Sequence, residues 1–330
     1  MSDASRTTSA PEAVDRRLER HRAELTGYCY RMLGSPFEAE DAVQETLIRA
    51  WRGFDRFEGR AAVRSWLYRI ATNVCLDMLS GRERRARPID LSPAGVPELE
   101  SAHVLAQEVW IEPAPDRLIA TDGDPADVAV ARETIRLAFV AALQHLPPRQ
   151  RAALILCEVL RWQASEVAEL LQTTVASVNS ALQRARATLA ASDISDAQPS
   201  QPLDEGDRAL LERYVAAFER YDMEALTALI AQDATMSMPP YDLWLRGPQH
   251  MVAWWTGPGS GCQGSRVLYA PAANGAPAFA QYKRSADGGH DPWALQVLRL
   301  SAGRIAEITF FLDAPRLFGL FGLPDRLEPC

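Results

Sequence analysis

The sequence has no C-x-x-C pair. Its five cysteines, Cys29, Cys75, Cys157, Cys262 and Cys330, stand apart, and no histidine lies at ligand spacing from them. That argues against a zinc site and against a disulfide framework, and for a reduced, cytoplasmic protein with no metal and no cofactor. Residues 1–12 are Ser, Thr, Ala and acid without an apolar core, so they read as neither a signal peptide nor a membrane span, and disorder is expected there. Lysine is nearly missing: Lys283 is the one lysine, and the other cationic side chains are arginines. Positive charge is also missing from the total, which is −8 over 330 residues.

An acidic total argues against a nucleic-acid binder only if the charge is spread evenly, and here it is not. Asp15 to Arg87 carries fifteen Arg against eleven acids, whereas Pro88 to Val130 carries Arg117 alone against nine acids. The chain is long enough for two or three compact units. Six prolines (Pro88, Pro93, Pro97, Pro113, Pro115 and Pro125) mark residues 88–126 as an acidic linker, interrupted by the apolar island Val109-Trp110-Ile111.

Before the linker, residues 13–34 read as one helix on the spacing of Leu18, Leu25, Tyr28, Met32 and Leu33, ended by Gly34-Ser35-Pro36. The next helix places Val43, Leu47, Ala50, Trp51 and Phe54 on an apolar face. Asp41, Gln44, Glu45 and Ile48 fall on a different face, a compact acidic-polar patch that suggests a docking surface. A loop, Phe54-Asp-Arg-Phe57-Glu-Gly-Arg60, leads into a helix from Val63 to Asp77 that ends in Arg82, Arg84, Arg85 and Arg87. Arginines interleaved with aromatics beside a loop suit single-stranded nucleic acid, through base stacking and phosphate contact.

The run D-A-V-Q-E-T-x-x-R-A-W, then F-x-G-R, then W-L-Y-R-I-A-T-N-x-x-x-D resembles region 2 of the sigma-70 superfamily, in its extracytoplasmic-function group. The resemblance implies that Asp41, Gln44, Glu45 and Ile48 grip core RNA polymerase. It also implies that Phe57, Arg60, Arg64, Arg69 and Asn73, with Arg82, Arg84 and Arg85, hold and melt the −10 promoter element, and that the linker threads the polymerase cleft.

After the linker, Val128 to His145 reads as one helix, and Pro147-Pro148 opens another. Ala164–Leu171 and Val175–Leu182, joined by Gln172-Thr173-Thr174 with Thr174 as N-cap, read as a helix-turn-helix. It resembles sigma region 4, which reads the −35 element. The exposed face offers Ser177, Asn179, Ser180, Gln183, Arg184 and Arg186; amides suit adenine edges, and arginines suit guanine or phosphate.

Asp193 to Gly206 is a polar hinge, beyond which lies a third core. Helices at Leu210–Tyr221, Met223–Ile230 and Pro248–Trp255 alternate with strand-like runs at Ala234–Met238, Arg266–Ala270, Ala278–Lys283, Ala294–Ser301 and Ile305–Leu312. Ser301-Ala-Gly-Arg304 is a hairpin signal. This α+β order resembles the SnoaL-like, ketosteroid-isomerase-like cone, an appendage that in a subgroup of these sigma factors regulates in cis. The expected fold is therefore multidomain: two all-α sigma domains (13–87 and 127–192) and an α+β cone (203–330).

Such a cone often encloses a pocket that could take a small-molecule ligand. Its candidate lining is Met236, Met238, Tyr241, Trp244, Trp254, Trp255, Tyr282 and Trp293, with Asp242, Arg246, His250 and His290 as polar groups and Asp242 or His250 as the base an isomerase would need. A fold is not an activity, and the chain is not expected to be an enzyme. The competing readings are a ligand-responsive helix-turn-helix regulator working without polymerase, and a cyclase or isomerase with a DNA-binding passenger. The last segment, Pro315 to Pro324, is apolar enough to need a cover, either on the cone's own mouth or against region 2 or the linker near Trp110.

Overall fold

The computed structural model describes residues 10–57, 62–119, 134–191 and 203–329. Residues 1–9, Arg60 and Cys330 therefore lie outside the description, as does the segment 128–133. The chain divides into two compact units, one from Met1–Arg84 and Arg117–Ser195, the other from Arg85–Asp116 and Asp196–Cys330. The linker as far as Asp116 thus groups with the C-terminal domain, and Arg117–Ile119 group with the helical unit.

The helical unit opens with α1 (Ala10–Glu19), α2 (Arg22–Leu33), α3 (Pro36–Gly53) and α4 (Val63–Leu79). The single helix expected over 13–34 is two, because the regular helical hydrogen bonding gives way at Arg20–His21 to a turn in which the His21 N–H donates to Leu18 O. Every residue of α2 from Leu25 to Leu33 is buried, so it is the central helix of this half. Gly34 closes it at φ 75°, where a side chain would be strained, and Ser35 caps α3 with Pro36 in its first turn. α3 buries Ala39, Ala42, Val43, Thr46, Leu47 and Ala50. Trp51, expected in that stripe, is instead 57% exposed. It sits at the edge of the stripe's arc, where a quarter-turn of the helix carries it past the core.

The second half is α5 (Leu137–Gln144), α6 (Pro148–Leu154), α7 (Ala164–Leu170) and α8 (Val175–Ala190). The helix expected from Val128 to His145 breaks where it is described: Arg136 is extended (φ −55°, ψ 140°) and α5 starts after it. Thr174 caps α8 by accepting from the Ser177 N–H at 3.1 Å. The preceding turn holds Gln172 at φ 53°, a conformation that usually calls for glycine.

Two buried arginines bind the halves together. Arg31 donates to Gly27 O at 2.7 Å and, across the seam, to Thr134 Oγ1 at 3.0 Å. Arg151 donates to Met32 O across the seam, to Gln144 Oε1 at 2.6 Å, and to the carbonyls of Gln144 and Leu146. Burial pulls both guanidinium pKa values from the usual arginine range down to about 10.

In the second unit, α9 (Glu205–Arg220) and α10 (Met223–Leu229), capped by Asp204 and Asp222, precede β1 (Ile230–Ser237), β2 (Trp244–Arg246) and α11 (Pro248–Thr256). Then come β3 (Arg266–Ala273), β4 (Ala276–Arg284), β5 (His290–Ser301), β6 (Arg304–Phe311) and α12 (Ala314–Phe321). The sheet order is β2-β1-β6-β5-β4-β3, with β1 and β6 parallel and the other pairs antiparallel. The expected hairpin forms with Ala302 at φ 49° and Gly303 at φ 69°. Asn274-Gly275 makes a second tight turn of the same left-handed kind, a legible signal that the strand reading passed over. β2 was not expected, since three residues carry no periodicity.

One sheet face packs Met236, Phe279, Leu298 and Ile308 against Tyr214, Phe218, Trp254 and Trp255 of the helices. The opposite face is covered as well. α12 lies against β5, with Phe318 edge-on to Tyr282 at 5.1 Å, and the Tyr282 hydroxyl donates to Pro324 O at 2.9 Å. Two covered faces explain why β4 and β5 bury consecutive residues instead of alternating. The apolar tail therefore covers the sheet's outer face rather than a mouth, and its first turn also meets the linker, through Arg316 to Glu112 at 3.4 Å and Gln107 to Asp313 at 3.3 Å.

The linker is a strap fastened along the cone. The Ala86 N–H donates to Val109 O at 2.7 Å and the Ile111 N–H returns to Ala86 O at 3.2 Å, so the segment closes on itself. Further out, Gly95 N–H donates to Trp244 O, Leu105 N–H to Pro240 O, and Asn274 N–H to Ala114 O. A Cβ at Gly95 would lie 2.5 Å from a Leu243 methyl, so a side chain there would have to push that methyl aside. Trp110 is 1% exposed at the closure.

Candidate nucleic-acid interface

On α3, Asp41, Gln44 and Ile48 are exposed and Glu45 is half-buried, held by Arg49 at 2.6 Å. Ile48 is 44% exposed, and the outward-turned Trp51 stands beside it on the same face. An acidic patch around two large exposed apolar groups is more than a solvated helix surface needs. Trp51 is the member of this face that its apparent place in the core stripe had hidden.

α4 presents Trp66, Arg69 and Asn73 along one strip, as 3.6-residue periodicity dictates. Trp66 stacks on Phe57 at 4.8 Å and meets Phe54 at 6.3 Å, and this trio anchors the start of the loop that carries Arg60. Tyr68, on the reverse side, is fully buried. Arg64 and Arg69 are engaged inside the unit. Arg64 donates to Glu24 at 2.7 Å and lies over the rings of Tyr68 at 5.1 Å and Trp162 at 5.3 Å. Arg69 meets Glu169 at 3.5 Å.

The basic cluster after α4 is not one surface. Arg82 pairs with Glu38 at 2.6 Å and Arg84 meets His145 at 2.7 Å, both in the helical unit. Arg85 belongs to the other unit and is only 7% exposed, donating to the carbonyls of Gln107 and Trp110. It is a buried strut of the linker closure, which corrects its reading as a DNA contact. The physical reason is the Ala86–Trp110 bridge, which turns its side chain inward.

α8 buries Val178, Leu182 and Ala185 and exposes Ser177, Asn179, Ser180, Gln183, Arg184 and Arg186. Ser180 and Gln183 lie at the middle of the exposed arc, flanked by Asn179 and Arg186 on one side and Ser177 and Arg184 on the other. Arg186 is tied to Glu158 at 2.7 Å.

The candidate pocket of the cone does not assemble. Asp242 faces the strap, accepting from the His103 N–H at 2.8 Å, and the Trp244 indole donates to Ser92 O at 2.8 Å. Both are linker anchors. His250 is exposed on α11 against Arg246 O at 2.8 Å, and His290 is tied to Gly264 O at 3.2 Å. Trp254, Trp255, Met236 and Met238 fill the core, with Tyr241 packed against it. Trp293 is 37% exposed under Lys283, and Tyr282 points to the opposite sheet face. These side chains are divided among the core, the strap contacts, the surface and the opposite sheet face, so they converge on no common cavity. Among the described residues no helix is long and apolar enough to cross a membrane, and no three His, Cys, Asp or Glu side chains form a metal-binding group.

The comparisons with known proteins follow the same division. The family model for sigma-70 region 2 matches residues 18–85, that for sigma-70 region 4 matches 136–189, and that for a SnoaL-like domain matches 211–308. The ECF RNA polymerase sigma factor SigG of Mycobacterium tuberculosis is 46% identical over 318 residues, covering 94% of this chain and 83% of its own length. The ECF sigma factor SigW of Bacillus subtilis is 31% identical over 49% of this chain and 78% of its own. The crystal structure of Mycobacterium tuberculosis SigJ matches with a TM-score of 0.57 at 21% identity, covering 94% of this chain and 99% of that one, which speaks to fold.

Proposed function

The chain belongs to the extracytoplasmic-function RNA polymerase sigma factors, and from that premise we propose how its parts divide the work. As a sigma factor it binds core RNA polymerase and recognises promoter DNA. In our reading α3 docks on polymerase through Asp41, Gln44, Glu45 and Ile48, with Trp51 added to the set. Phe57, Arg60, Arg64, Arg69 and Asn73 hold the opened −10 strand, and α8 reads the −35 duplex through Ser177, Asn179, Ser180, Gln183 and Arg184. The protein works where polymerase is, in the cytoplasm.

The C-terminal cone acts in this reading as a holder of the linker rather than as an enzyme. The observation that carries it is the closure of the strap at Ala86 and Trp110. Extended at roughly 3.3 Å per residue, the stretch between them would reach about 80 Å. Closed, it contributes only the spacing of two paired strands, about 5 Å. A sigma factor must place its two helical halves on two separate promoter elements, so a cone that keeps the strap closed limits how far those halves part. A tethered domain does this with weak contacts, because its effective concentration reaches about the millimolar range.

Run-off transcription with core polymerase tests the proposal. Trp110→Ala should open the strap and raise transcript yield several-fold, and a chain ending near Ala197 should do the same. Unchanged yield from Trp110→Ala, together with a protease-resistant strap, would remove the holding role.

A further inference from the structure

Within the helical unit, two side chains of the second half lie on the helix that carries the −10 candidates of the first. Trp162 is 8% exposed, with its indole 5.1 Å from the Tyr68 ring and the Arg64 guanidinium over its face at 5.3 Å. Five residues beyond Arg64 on α4, and part-way round the helix from it, the Glu169 carboxylate meets Arg69 at 3.5 Å. The arrangement is an aromatic ring against an arginine and a tyrosine, with an anion on the next arginine. Those are the contacts that a base and a backbone phosphate make on a single-strand binding surface.

Trp162 is delivered there by an unusual turn. The helix ending α6 widens into a π turn at Ile155–Val159, Arg161 takes φ 59°, and the Trp162 N–H closes back on Leu156 O at 3.0 Å. A non-glycine residue at positive φ costs energy, so the presentation is imposed by what surrounds it. The contact is nevertheless imperfect. The buried Trp162 Nε1 has no hydrogen-bond partner, and neither has Arg69 Nε. Unsatisfied buried donors weaken the covered state against any ligand that would replace it.

We propose that Trp162 and Glu169 are an internal mimic of single-stranded DNA: they occupy on α4 the places of a base and a phosphate, and the strand binds only by displacing them. This rests on the reading of α4 as the −10 helix. Region 4 thereby covers the single-strand site of region 2 in the free chain. Its own duplex-reading face on α8 carries neither residue, so that face stays presented while the other is closed.

The test uses the full chain without polymerase and a fluorescein-labelled pool of random-sequence single-stranded 12-mers, read by anisotropy at one fixed salt concentration. Trp162→Ala with Glu169→Gln should bind at least tenfold more tightly than the unaltered chain, and adding Arg64→Ala should abolish the gain. Trp162→Phe, which keeps a ring in place, should stay within about threefold of the unaltered chain. A double variant with unchanged circular dichroism and unchanged affinity overturns the proposal, as does a gain that survives Arg64→Ala.

A second measurement does not depend on a variant folding. Saturating 12-mer added to the unaltered chain should speed hydrogen exchange across residues 162–170, and no change there with DNA bound also overturns it. Run-off transcription by the unaltered chain with core polymerase tests the sigma reading separately. Transcription without unmasking would sink the mimic alone, and unmasking without transcription would sink the α4 assignment.

Discussion

The two helices that we propose meet DNA are held in opposite ways. α8 keeps a thin apolar edge inside and turns Ser177, Asn179, Ser180, Gln183 and Arg184 to solvent. α4 has Arg64 fixed by Glu24 and two aromatic rings, Arg69 on Glu169, and Tyr68 inside the core. The difference matches the two kinds of target. A duplex exists before the protein arrives, so a reader of its groove can be preformed and open. A single strand exists only after melting, so its site gains nothing from standing open, and exposed arginines and aromatics would take up other strands.

The largest effect should come from breaking the seam that keeps α4 covered. Arg151→Met removes a guanidinium that satisfies three backbone carbonyls and the Gln144 amide oxygen, one of those carbonyls across the seam. Losing a buried charged donor while its acceptors stay behind costs about 3 kcal/mol or more, so the urea midpoint of the helical unit should fall accordingly. A loss below about 1 kcal/mol would mean the acceptors find water, and the seam is looser than its geometry.

A mid-sized effect sharpens the comparison directly. Gln183→Ala should weaken binding of the free chain to a −35 duplex selected from random sequence by roughly tenfold, since one good base-edge contact is worth about 1–3 kcal/mol. Arg64→Ala should leave that binding within about twofold, because its side chain is spent inside the unit. Equal losses from both substitutions would erase the distinction between an open and a covered helix.

The smallest effect on stability belongs to the third surface. Reversing the exposed Asp41 to Arg should change the unfolding free energy of the unit by no more than about 0.5 kcal/mol, and reversing the half-buried Glu45, which gives up its pair with Arg49, by about 1 kcal/mol at most. Capture of core polymerase should nevertheless be lost. Undiminished capture by that folded variant would separate α3 from the polymerase reading and leave Ile48 and Trp51 without a partner.

Sequence alone determined the local chemistry. The helix-turn-helix, its Thr174 cap and the outward set on α8 follow from period and capping, which act within a few residues. So do the outward-turned acidic-polar face of α3 and the last hairpin. The region 2 and region 4 motifs are contiguous in the chain, and contiguity is what makes them legible.

Tertiary structure decided everything that depends on which distant residue arrives next. Arg85 reads as one more cation in a basic run, yet the bridge from Ala86 to Trp110 buries it. Asp242 and Trp244 read as a pocket, yet hydrogen bonds to His103 and Ser92 make them anchors for a strap some 140 to 150 residues earlier in the chain. Trp162 carried no signal at all, because its meaning lies in the Arg64 and Tyr68 it meets nearly 100 residues away. Helix period and capping are short-range and written in order. Burial and partnership are set by long-range packing, whose pairs are not adjacent in the chain and leave no periodic trace in it.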